Sequence, residues 1–148
     1  MRPLPTRLQL SPTDGLDLDE AWAWQNFGGK SFEAAERMFL AEGNFHYLED
    51  LVHMGIEGLR FYLPATAAYL RIERSADEGA WDLFVPGLVY VIESRLQFDG
   101  WQAAAAEMEA VLLAILPRHA TYGLDEAQLH TLLRRLQQQG DSPGAARS

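Results

Sequence analysis

Cysteine is absent from the 148 residues, which removes disulfide bridges, thiolate nucleophiles and every cysteine-based zinc site at once. Lysine is nearly absent as well: Lys30 stands alone, and the other cations are all arginine. No apolar run approaches the ~20 residues that a membrane-spanning helix needs, so no membrane association is expected. The opening stretch MRPLPTRLQLSPTDG lacks an apolar segment long enough for a secretory leader, which makes the cytoplasm the expected location. Positive charge is scarce overall, with 12 basic against 21 acidic side chains and a net charge of -9. Nucleic-acid affinity rests on Lys and Arg neutralising phosphates, so a nucleic-acid partner is disfavoured and a basic protein partner is favoured.

What is present is a chain of ordinary composition, 48% hydrophobic and 22% charged, long enough for one core. Pro3, Pro5 and Pro12 without apolar periodicity predict an extended arm over 1–15, and GDSPGAARS predicts a flexible tail over 140–148. Residues 16–139 between them read as a single all-α globular domain of about seven helices with a central apolar helix. Asp17 with Glu20 forms a capping-box pattern ahead of a helix that Gly28-Gly29 stops. Ser31 caps a second helix, ended by Gly43, and Asn44 is placed to cap a third over 45–54. A fresh helix is expected to begin at Pro64 and run through 65–74, followed by a loop SADEG. Residues 81–96 are apolar almost all round. The subsegment 88–92 reads equally as buried helix or strand by periodicity, and helix is preferred because no partner strand is visible. The stretch from Trp101 has the strongest helical repeat, and Asp125 opens a final helix with an inward leucine stripe.

Three patterns bear on chemistry. Gly28-Gly29-Lys30-Ser31 echoes the end of a phosphate-binding loop, but Trp24 stands where the leading glycine belongs, so a helix stop followed by a helix cap is expected. His46, Glu49, Asp50 and His53 sit at positions 0, 3, 4 and 7 of one helix, within about 100° of arc. A metal-dependent enzyme using His46, Asp50 and His53 is one reading. The outer histidines stand roughly 10 Å apart at 1.5 Å rise per residue, so such a site would need a ligand from another helix. No serine lies in a nucleophile-elbow pattern, and no catalytic residue, metal site or cofactor is assigned. Glu93, on the near-apolar helix, is expected to need an arginine such as Arg95, Arg60 or Arg71.

Charge distribution gives the preferred reading. Residues 10–59 hold ten acids against Lys30 and Arg37. Trp22 and Trp24 point about 200° apart on their helix, so one is expected inward and the other either at a surface or buried by a second neighbouring helix. Asp19, Glu20, Trp24, Glu49 and Asp50 are therefore the candidate partner-binding residues of a non-catalytic protein-binding domain. A self-associating structural domain, a homodimer through the exposed aromatics, is the remaining alternative.

The run from Trp24 to Ala35, Glu49-Asp50-Leu51, Met54 and Phe61-Tyr62-Leu63-Pro64-Ala65 together resemble an uncharacterised bacterial family of small acidic proteins, a domain of unknown function marked by an EDL…FYxPA motif. The resemblance covers about residues 16–100, with a looser echo in LDEAQLHTLLRRL. It implies an immunity-like or antitoxin-type accessory role and brings no catalytic set. The family's acidic pair corresponds to Glu49-Asp50, and the flanking His46 and His53 lie outside the pattern.

Overall fold

The structure, a computed structural model, describes residues 2–141, and of 139–141 the backbone alone. It is all-helical: α1 (Arg7–Leu10), α2 (Leu18–Phe27), α3 (Phe32–Leu40), α4 (His46–His53), α5 (Ile56–Tyr62), α6 (Ala67–Leu70), α7 (Ala76–Ala80), α8 (Phe84–Arg95), α9 (Ala105–Ile115) and α10 (Glu126–Asp141), with 3-10 turns at Leu63–Thr66, Trp101–Ala104 and Leu116–Arg118. Residues 88–92 are helix. The flexible tail expected over 140–148 lies, from residue 142 onward, outside the described residues.

Short polar side chains fix five of the ten helix starts by accepting the free backbone N–H groups of a first turn. Asp17 accepts from Asp19 N and Glu20 N, Ser31 from Ala34 N, and Asp125 from Ala127 N. Ser75 and Glu78 form a full capping box, so the expected SADEG loop is instead α7. Thr6 and Gln9 form another, and the arm expected to be extended makes the helical turn α1, driven home by the fully buried Leu10. Asn44 does not cap α4. Its side-chain amide donates instead to the Phe39 carbonyl at 2.6 Å, closing the end of α3. The helix expected over 65–74 is shorter, because α5 runs into Pro64 through a 3-10 turn and α6 ends at Leu70.

In the core, α4 lies between α2 and α8, while α9 packs against α10 on one side and the 63–70 segment on the other. Leu59, Tyr62, Leu63 and Ala65 are fully buried at the centre. The Tyr62 hydroxyl donates to the Phe27 and Lys30 carbonyls at 2.8 and 2.7 Å, which anchors the glycine turn between α2 and α3. Burial pushes the Tyr62 phenol up to about 12, so it remains a donor at neutral pH. Gly29 takes φ +73° in that turn, and Ser31 caps α3, which assigns GGKS to helix stop and start. Glu93 makes no ion pair among the described residues. The charge buried on α8 is Arg95, which donates to the Val52 and Met54 carbonyls at 2.7 Å each and so caps the end of α4.

Candidate functional site

The candidate residues of α2 and α4 separate once packing fixes the phase of each helix. Ala23 and Phe27 of α2 are fully buried and set its inward direction. At about 100° per residue, Trp24 lies about 60° from Phe27 and Trp22 about 140°. Accordingly Trp24 is half-buried against the core, folded back over the Gly28 backbone, and Trp22 is the indole left 59% exposed. The surface indole is therefore Trp22 and not Trp24. Glu20 is also spent locally: it accepts from Thr13 N and Thr13 Oγ1 at 3.0 and 2.9 Å rather than reaching back to Asp17 N.

Asp50 is not on the surface. It is 5% exposed and accepts from Asn26 Nδ2 at 2.8 Å, tying α4 to α2. The signal for this was present in the spacing, because Asp50 lies four residues before the buried Met54 and thus about 40° from it on the wheel. Burial raises the Asp50 carboxyl above its ordinary 3.8, with the Asn26 hydrogen bond opposing and the neighbouring Glu49 adding to the rise. A carboxyl raised on folding contributes stability below 3.8 that is lost as pH climbs through its folded-state value. At neutral pH the ionised form is a liability. Asp50→Asn, which keeps an acceptor for Asn26, is expected to raise the urea midpoint at pH 7, and the gain should vanish when unfolding is repeated below pH 3.8.

Asp19 and Glu49 remain outward, with side chains 64% and 70% exposed, and meet at His53: its Nε2 stands 3.8 Å from Asp19 Oδ2 and 3.4 Å from Glu49 Oε2. Arginines neutralise Asp14, Glu36 and Glu57 through Arg7, Arg71 and Arg60. Asp19, Glu33, Glu42 and Glu49 meet no arginine or lysine among the described residues. The four polar residues of α4 thus part company. His46 stacks on Phe45 at 4.3 Å between ring centres, Asp50 turns inward, and His53 turns to α2. Among the described residues no group of three or more His, Asp or Glu side chains is placed to hold a metal ion.

Beside Glu49 lies a feature that periodicity did not single out. A groove of about 430 Å³ runs between α4 and α8, lined by Phe45, His46, Leu48, Glu49, Leu83, Gly87 and Tyr90. Leu83 is 68% exposed, Tyr90 58% and Phe45 46%. The sequence places Phe45 on the inward face of α4 and Tyr90 on a helix apolar all round, so neither stood out as surface. Asp82 offers a partial signal. Its carboxylate accepts from Val85 N and from the Tyr69 hydroxyl and lies 3.7 Å from Arg74 Nε, which commits it inward and leaves its neighbours Trp81 and Leu83 facing water. No family model matches the chain, nor does any curated protein or solved structure.

Proposed function

We propose that the chain is a non-catalytic protein-binding domain, immunity-like in its acidity, whose α4–α8 groove receives an amphipathic helix with an apolar anchor flanked by lysine or arginine. The observation that carries this reading is the groove itself: three large apolar side chains around a concave floor, with Glu49, which meets no arginine or lysine among the described residues, on its rim. Contiguous exposed apolar surface edged by charge is the usual composition of a recognition site, and aromatic anchors dominate binding energy there. Charge chooses the occupant. A second copy would bring another -9 against the first, whereas a basic segment gains from Glu49 and from Asp19 nearby.

The test uses a helical peptide of leucine and lysine and its leucine–glutamate counterpart, followed by amide NMR shifts of the full chain. The lysine peptide is expected to move α4 and α8 resonances saturably. Glu49→Lys and Leu83→Asp should each weaken it at least about tenfold, and the glutamate peptide should do no better than those variants. Affinity should fall with added salt, as the ~8 Å screening length at 0.15 M predicts for rim charges. Equal binding of both peptides, shifts away from α4 and α8, or sedimentation as a dimer that Leu83→Asp dissolves would overturn the proposal.

A further inference from the structure

Away from that groove, α9 carries Ala106, Ala110 and Ala114 at four-residue spacing, facing Pro64, Ala67 and Leu70 across a furrow of about 300 Å³. Methyl groups too short to meet their neighbours leave the hollow open. Its wall is almost wholly hydrocarbon, and its one acid is Glu107. Glu107 also lines the adjoining hollow of about 250 Å³, together with Arg2, Arg60 and Phe61. The Glu107 side chain is only 10% exposed, and its two oxygens differ. Oε1 accepts from Arg60 Nε at 3.3 Å and Arg2 Nη2 at 3.5 Å, while Oε2 is buried with no donor among the described residues. A buried acceptor without a partner is uncommon in folded proteins and calls for an explanation.

The geometry points to a binding site for a medium-chain aliphatic alcohol, its hydrocarbon laid along the alanine furrow and its hydroxyl donating to Glu107 Oε2. Pockets for small molecules join an apolar wall of this size to a few converging polar groups. The head group follows from the charges. Two guanidinium groups already balance Glu107 through Oε1, so an ammonium head would bring a third cation beside Arg60 and Arg2. A carboxylate head has no proton to give Oε2 and stands against the Glu107 charge. A neutral hydroxyl supplies the missing donor without either conflict.

The probes are 1-octanol, octanoate and octylammonium, titrated into the full chain with amide NMR as the readout. Octanol is expected to shift α6 and α9 resonances saturably, with the two charged probes binding about tenfold more weakly. Ala110→Leu, at an exposed position that tolerates the larger side chain, fills the furrow and should weaken octanol at least about tenfold while the fold persists. Glu107→Gln should erase the preference for octanol over octanoate. Absence of saturable shifts, affinities of the three probes within twofold of each other, or an Ala110→Leu protein that binds octanol unchanged would overturn the assignment. None of these outcomes touches the α4–α8 groove.

Discussion

Arg95→Ala is expected to cost about 3–5 kcal/mol of folding stability, because it strands two buried carbonyls at about 1–3 kcal/mol each and empties a filled core position. Arg95 is 5% exposed, and its Nη1 alone donates to both the Val52 and Met54 carbonyls at the end of α4, one N–H to each. Burial pushes Arg95 down to about 10, still well above neutral, so the group stays charged and both hydrogen bonds are charge-assisted. Arg95→Lys should recover part of the loss and Arg95→Met, which restores volume without donors, very little. The measurement is urea unfolding, where the midpoint falls with an unchanged slope. A methionine variant as stable as the parent would show that packing, and not the paired donors, accounts for the residue.

Gly55→Ala is expected to cost roughly 2–4 kcal/mol through backbone collision and loss of a hydrogen bond. Its φ of -56° is open to any residue, so conformational freedom is not the reason for glycine here. Proximity is. A methyl group at Gly55 would meet the Gln9 carbonyl and the Pro12 ring, and the Gly55 N–H donates to the Leu10 carbonyl at 3.0 Å. The substitution therefore pushes α1 off the body of the protein and lifts Leu10 from its pocket. Hydrogen exchange should show the loss concentrated at residues 6–11, with α8 and α9 protected until global unfolding. A uniform loss of protection would contradict this account.

Local chemistry made much of the fold readable. Asp17, Ser31 and Asp125 cap helices as their spacing predicts, Ala35 and Phe39 are buried on the inward face of α3, and residues 88–92 are helical without a partner strand. The differences arise where a polar group had more than one use for its hydrogen bonds. Asn44 serves the helix behind it, and Glu20 serves Thr13. Thr6 and Gln9 fold a turn where the prolines suggested an arm. For the site, composition located an acidic region but a helical wheel has no absolute phase. Packing of Ala23, Phe27 and Met54 supplies it, drawing Asp50 and Trp24 inward and leaving Asp19, Glu49 and Trp22 outside. Phe45, Leu83 and Tyr90 meet only because α4 crosses α8, a juxtaposition that no local pattern encodes.

The docking of the first turn sets an order of events during synthesis. Leu10 leaves the ribosome before its seat on Gly55 and Gly58 exists, and Arg2 awaits Glu107 across 105 residues of chain. At roughly 5–20 residues per second, roughly 5–20 s separate the two ends of that contact. The first turn thus settles only after the segments it packs against have been made, and until then a nascent chain presents an unseated Leu10 to whatever chaperone stands at the exit tunnel.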